Sequence, residues 1–371
     1  MRKTLSLYTL MVCCLVFLAA CKEEAERQTF CIHGTIPGLK AGVEIGLLNA
    51  EDKDAGEIAK ATVQKDGEFW IEGKVEHPTL CTLTTNNLAM IEEEVAAGNT
   101  QEIKWTYTPV FVDNSDMEIQ VASYDLVPDA PETADFHIVG SPSHQDYCEF
   151  VALCGNVEYE RPNVDAALQF FVAHPTSVVS IYAANKLLDN AYNLTADQVQ
   201  QMRQTLTECP TDTARFNRFA ERLQLAEQTT VGNPVVDLDL VTTDGNRCQL
   251  VDIVKSHQGK TLLIDFWASW CGICRMSTPD IKTLYDSLDR AQCEVISVSC
   301  DEDEAAWSKA MQEDQMPWAQ YRLTPEGYKS FFTQYQVIGV PYYLLVNPQG
   351  KVVANPAGVE SVAEMVTGIN K

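Results

Sequence analysis

The chain has 371 residues, 46% hydrophobic and 21% charged, with 27 Lys and Arg against 52 Asp and Glu, a formal net charge of −25. That length predicts two or three domains of about 100–200 residues, and the composition argues against wholesale disorder, collagen-like repeats or low complexity. The acidity argues against a phosphate-backbone partner, which needs clustered cations, so no nucleic-acid binding is expected.

Residues 1–20 read as an export signal. Arg2 and Lys3 precede a mostly apolar stretch from Leu5 to Ala20, which at about 16 residues is short for a membrane span of about 20. Leu18-Ala19-Ala20-Cys21 resembles the lipobox of bacterial lipoproteins, which implies lipidation at Cys21 and attachment to the membrane through acyl chains. Residues 21–28 then form a polar tether. The expected location is the cell envelope, facing the periplasm. Lys22-Glu23-Glu24 also resembles the acidic tags that send some lipoproteins to the cell surface. Beyond Cys13, Cys14 and Cys21, ten cysteines remain, and two of them form a Cys-x-x-Cys. The other eight fit no disulfide scaffold and are expected mostly as small buried apolar side chains.

Residues 29–125 read as a β-rich domain. Strands are predicted at Phe30–Gly34, Val43–Asn49, Leu80–Thr85, Ile103–Val112 and Ile119–Val121. Lys65-Asp66-Gly67 between Ala61–Val63 and Phe69–Ile71 predicts a hairpin. Short strands at this spacing suggest a small sandwich or open barrel.

Residues 126–230 read as mainly helical. Leu168, Phe171 and Val172 share one helical face, as do Ile181, Ala184, Leu187 and Leu188. Asp212 is placed to cap a helix running to about Gln228. Cys148 and Cys154 would lie about 120° apart with about 9 Å of rise on one helix, so they are not expected to pair. The histidines of this half of the chain show no metal-ligand spacing.

Residues 231–371 alternate strands and helices, which predicts an α/β sheet. Strands are expected at Val235–Leu240, Lys260–Trp267, Glu294–Ser299, Tyr342–Val346 and Lys351–Ala354. Helices are expected from Cys271 to about Arg290, at Asp301–Asp314, at Gly327–Tyr335 and from Ser361.

The chemistry lies in Leu263-Ile264-Asp265-Phe266-Trp267-Ala268-Ser269-Trp270-Cys271-Gly272-Ile273-Cys274. An apolar strand runs into a helix that opens with Cys-x-x-Cys. Cys271 would sit at the helix N-terminus, where unpaired N–H groups favour a thiolate. Cys271 is thus suited to attack a disulfide, and Cys274, one turn on, to resolve the mixed disulfide.

These residues resemble the thioredoxin active site, and the wider domain resembles the TlpA/ResA type of anchored envelope thioredoxin. The resemblance extends to Pro279, Gly339-Val340-Pro341 before Tyr342–Val346, Val231-Gly232-Asn233-Pro234-Val235 and Asp244-Gly245. It implies a thioredoxin fold, a buried proton-transfer acid at Asp265, a cis-proline platform for substrate at Val340 and Pro341, and Trp270 shielding and packing the site. It implies no cofactor. Partners would be protein disulfides or dithiols and an envelope electron donor, with net reduction the favoured direction. The β-rich segment is similar to the β-domain of unassigned activity that precedes such modules in envelope lipoproteins.

The sequence departs from the pattern at two points. The dipeptide between the cysteines is Gly-Ile, and Ser297 stands near the place of the lysine partner of the buried acid. An acid without that partner is expected to have a raised pKa. Zinc is not expected, because Cys293 and Cys300 bracket a strand of about 23 Å and cannot share one ion with the Cys-x-x-Cys. Peroxiredoxin chemistry is not expected either, since Ile264 and Ala268 stand where that family has Pro and Thr. A binding module with an auxiliary redox domain stays open.

Overall fold

Among the described residues eight short strands occupy the first half of the chain, and several, such as Phe30–Thr35, Asp116–Val121 and Phe136–Val139, alternate buried and less buried side chains, the pattern of sheets with one face in a core. They belong to a computed structural model that describes residues 28–65, 67–86, 106–155 and 163–359, with positions 361, 362 and 365. The signal segment, Cys21 and most of the tether lie outside the described residues, as do Asp66 and most of the helix expected from Ser361. The chain divides into two compact units, 1–149 and 150–371. Among the described residues no helix is long and apolar enough to cross a membrane.

The first unit holds two four-stranded sheets. One has the order β4(Glu68–Gly73), β1(Phe30–Thr35), β7(Asp116–Val121), β8(Phe136–Val139). The other has β3(Glu57–Thr62), β2(Glu44–Asn49), β5(Thr79–Asn86), β6(Tyr107–Val112). Phe30, Ile32, Phe69 and Ile71 of the first sheet share one core with Ile45, Leu47, Leu83 and Val110 of the second. Of the sandwich and the open barrel expected, the sandwich forms, while the expected hairpin is limited to one antiparallel bridge between Lys65 and Glu68. β4 pairs antiparallel with β1 and β3 with β2, so the turn at Lys65 to Gly67 carries the chain from one sheet to the other. Gly67 has φ +82°, and a Cβ there would lie 2.4 Å from the Ile36 carbonyl oxygen. Glycine is therefore required at this corner. Strand β8 lies inside the segment expected to be helical; it is four residues long, too short for a periodicity signal.

The second unit contains helices at Val164–Ala173, Val178–Leu187, Ala196–Thr205 and Thr213–Ala226. Asp212 caps the last, its carboxylate accepting the Arg215 N–H at 2.8 Å. Leu168 and Phe171 are buried as expected, but Val172 is exposed; Ala167 and Phe170 complete the buried face instead. These helices and the α/β sheet that follows form one compact unit, although a boundary was expected at residue 230.

That sheet has seven strands in the order β10(Arg247–Gln249), β9(Asp239–Thr242), β13(Ala319–Leu323), β12(Cys293–Ser299), β11(Thr261–Trp267), β14(Tyr342–Val346), β15(Val352–Ala354). β11 is parallel to β12 and antiparallel to β14. Every residue of β11 is buried, as expected of a central strand covered on both faces. Leu262, Ile264 and Phe266 enter one core with Trp307, Phe331 and Tyr335, while Leu263 enters another with Ile281, Leu284 and Val295. The period-2 alternation of the strand thus divides its side chains between two helical layers.

Candidate active site

The end of β11 delivers the chain to the helix Gly272–Ser287, and Cys271 is the N-cap of that helix. Cys271 and Cys274 form a disulfide, with Cα atoms 5.3 Å apart. The Cys274 backbone N–H donates to Cys271 Sγ at 3.1 Å, so one of the unpaired amides of the first turn is spent on this sulfur. Across the site, the Val340 carbonyl oxygen lies 3.5 Å from Cys271 Sγ, and the Val340–Pro341 peptide is cis. The structure therefore brings together four expected site residues, Cys271, Cys274, Val340 and Pro341. Both sulfur-bearing residues are largely buried, at 7% and 4% exposure.

Asp265 lies on β11, fully buried, in register with Ser297 on β12 and Tyr343 on β14. Burial raises its pKa from 3.8 to about 7, because an isolated charge in the core loses its hydration. The Ser297 hydroxyl donates to Asp265 Oδ2 at 2.7 Å and opposes that rise. Ser297 in turn accepts the indole N–H of Trp318 at 2.7 Å. No ion pair to Asp265 occurs among the described residues. The acid is therefore poised to gain or lose a proton near neutrality.

Trp270, expected to shield and pack the site, is 65% exposed. Ile273, Met276 and Ile338 are exposed as well, so the cysteines lie beside apolar side chains that no described residue covers. The turn itself is held by a residue that sequence reasoning missed. Buried Asp301, just beyond β12, accepts the Ser269 N–H at 2.8 Å, the Ser269 hydroxyl at 2.6 Å and the Ser299 hydroxyl at 2.7 Å. The one available signal was a carboxylate directly after the buried run Val295–Cys300. On the outer side, Arg275 makes two hydrogen bonds to Asp314 and one to Glu313.

Residues 259–352 match the family model described as thioredoxin-like. The C-terminal α/β domain is thioredoxin-like. A second model, a domain of unknown function (DUF4369), matches residues 30–147. The thiol-disulfide oxidoreductase ResA of Bacillus subtilis is 25% identical over 127 residues, 34% of this chain and 67% of that protein. Mouse nucleoredoxin is 29% identical over 124 residues, 33% of this chain and 27% of that protein. The chain thus spans about two thirds of one curated relative and about a quarter of the other. The thioredoxin domain of a thiol-disulfide oxidoreductase from Bacteroides vulgatus is 28% identical, with a TM-score of 0.35, covering 38% of this chain and 98% of that one.

Outside the thioredoxin-like domain, His144 and Cys148 lie one helical turn apart, with Nε2 and Sγ at 3.4 Å. The pair is not a nucleophile with its base. His144 Nδ1 accepts the Phe111 N–H, so the proton of the neutral ring resides on Nε2 and faces the sulfur. Burial pushes the imidazole down to about 4 and, with Glu132 alongside, the Cys148 thiol up to about 12. Cys300 is buried and its thiol is likewise raised by desolvation. Cys148 and Cys154 are both free, as their helical spacing required.

Proposed function

We propose that the chain is a lipid-anchored thiol–disulfide oxidoreductase of the bacterial cell envelope, exchanging disulfides with protein substrates through Cys271-Gly272-Ile273-Cys274. The observation that carries the reading is Cys271 at the helix N-cap, disulfide-bonded to Cys274 and facing the Val340 carbonyl. In the reduced state the Cys274 N–H and the helix N-terminus stabilise a Cys271 thiolate. That thiolate attacks one sulfur of a substrate disulfide, and the other substrate sulfur leaves as a thiolate. Asp265 takes the proton of Cys274. The Cys274 sulfur then attacks Cys271 Sγ, which closes the intramolecular disulfide and releases the second substrate sulfur. The substrate is reduced by two electrons and the protein oxidised by two. An envelope dithiol donor restores the reduced state.

Polypeptide substrates are favoured because Trp270, Ile273, Met276 and Ile338 expose apolar surface around the disulfide. The half-buried Val340 and Pro341 offer backbone to an extended chain. Net reduction rests on the resemblance to the TlpA/ResA type. The anchor at Cys21 and the periplasmic face rest on Leu18-Ala19-Ala20-Cys21. The test is turnover of insulin disulfides with dithiothreitol as donor. Wild-type protein should accelerate reduction and Cys271→Ala should not. Equal rates for the two would remove the reading.

A further inference from the structure

The loop that presents Val340 to Cys271 is gripped at both ends by one turn of the preceding helical segment. That turn is Asn190–Tyr192, which follows the helix Val178–Leu187. Upstream of the loop, the Asn190 N–H donates to the Gln336 carbonyl at 2.9 Å and the Ala191 N–H to the Tyr335 carbonyl at 2.6 Å. The Asn190 side-chain oxygen accepts the Ile338 N–H at 3.4 Å. Downstream, the Tyr342 hydroxyl donates to the Ala191 carbonyl at 2.6 Å. Residues 339–341 are thus suspended between fixed points only a few residues apart.

The backbone shows that this arrangement is imposed rather than relaxed. Asn190, Tyr192 and Gln336 have φ of 65°, 64° and 51°. Tyr and Gln rarely enter this left-handed region, whereas Asn does so more readily, so Tyr192 and Gln336 are the positions held there by their surroundings. The side chain that ties Gln336 to this segment is Arg222, on the helix Thr213–Ala226. Its Nε donates to Gln336 Oε1 at 2.7 Å, its Nη1 to the Asn185 carbonyl at 2.6 Å and its Nη2 to Asp189 Oδ1 at 2.7 Å. Gln336 answers through Nε2 to the Arg222 carbonyl at 3.2 Å. One planar guanidinium fork therefore ties two helices of the segment to the residue four positions before Val340.

We propose that Arg222 and Gln336 are positioning residues of the redox site, fixing through the Asn190–Tyr192 turn the loop on which a substrate chain pairs with Val340. The proposal rests on the oxidoreductase reading and gives the helical segment a part in it. A loosened loop weakens pairing with a polypeptide and leaves the Cys271 sulfur and its helix N-cap untouched. Substrate binding should suffer and thiol reactivity should not.

The experiment compares Arg222→Ala and Gln336→Gly with wild type in the full chain. Glycine suits the φ of residue 336, so Gln336→Gly deletes the side-chain ties without backbone strain. Two rates are measured: steady-state reduction of insulin, and alkylation of reduced Cys271 by iodoacetamide. We expect KM for insulin to rise at least about fivefold in both variants, with kcat and alkylation within about twofold of wild type. Amide exchange at Ile338 and Tyr343 should accelerate in the same variants. Unchanged KM in a folded Gln336→Gly protein would overturn the proposal, even if Arg222→Ala fails to fold. So would an equal loss of kcat and of alkylation rate, which marks general damage. Absence of insulin turnover by wild type would instead remove the oxidoreductase reading, and the positioning role with it.

Discussion

The Ser297 hydroxyl donates to Asp265 Oδ2 at 2.7 Å across the β11–β12 ladder, and among the described residues no other side chain hydrogen-bonds this buried carboxylate. A hydroxyl supplies a dipole where a lysine would supply a full charge, so it offsets only part of the desolvation. The folded pKa accordingly stands at about 7. Two consequences follow, one for stability and one for catalysis.

Unfolded, Asp265 titrates near 3.8, and folded it titrates near 7. Between these values the folded chain retains a proton that the unfolded chain has released. The stability associated with the neutral acid is full below about pH 4 and is lost as pH rises through 7. A gap of about three pH units corresponds to roughly 4 kcal/mol. Asp265→Asn should therefore be more stable than wild type at pH 8, by up to about 4 kcal/mol, and close to it at pH 4. Urea unfolding at the two pH values checks this. The same variant should resolve mixed disulfides more slowly, by about 10²-fold, having lost its proton acceptor.

Ser297→Ala should raise the Asp265 pKa further, since the hydrogen bond that lowers it disappears. It also strips Trp318 Nε1 of its acceptor. The pH dependence of Cys274 attack should shift to higher pH, and stability at pH 5 should fall by about 1–3 kcal/mol from the buried unpaired indole N–H. Stopped-flow tryptophan fluorescence across pH 5–9 reads the first effect.

Asp301 holds Ser269, two residues before Cys271, through both its N–H and its hydroxyl. Asp301→Ala leaves these donors and the Ser299 hydroxyl without that acceptor. We expect a loss of about 2–4 kcal/mol, a fall in Tm of roughly 5–15 °C for a unit of this size. Calorimetry of the oxidised protein measures it.

Cys21→Ala should abolish incorporation of labelled palmitate and release the chain from membranes. Unchanged labelling would place the attachment elsewhere, or show that none depends on Leu18–Cys21.

The parts of this structure that were legible in the sequence are those set by local chemistry. The Cys-x-x-Cys at a helix start, the run Leu262–Trp267, apolar but for Asp265, and the cap at Asp212 each state their conformation within a few residues. Pairing between distant strands is not stated that way. Lys65 to Gly67 has the composition of a hairpin turn, yet β3 and β4 join different sheets because their partners are β2 and β1. Val172 fitted a helical stripe, but the core lay about one position around, at Ala167 and Phe170. Trp270 was expected to pack over the site from the resemblance alone, and it is 65% exposed. The Asn190 and Gln336 contact joins residues far apart in the chain, and neither residue type signals it.

Catalysis through this site requires a covalent intermediate on Cys271 that Cys274 clears. Cys274→Ala keeps Cys271 at the N-cap and removes the resolving sulfur. The decisive measurement is the yield of dithiothreitol-sensitive adducts when this variant is expressed in cells, separated without reductant and identified by mass spectrometry. Adducts with envelope proteins should form through Cys271, and none with Cys271→Ala. The same adducts in both variants, or none in either, would contradict that intermediate.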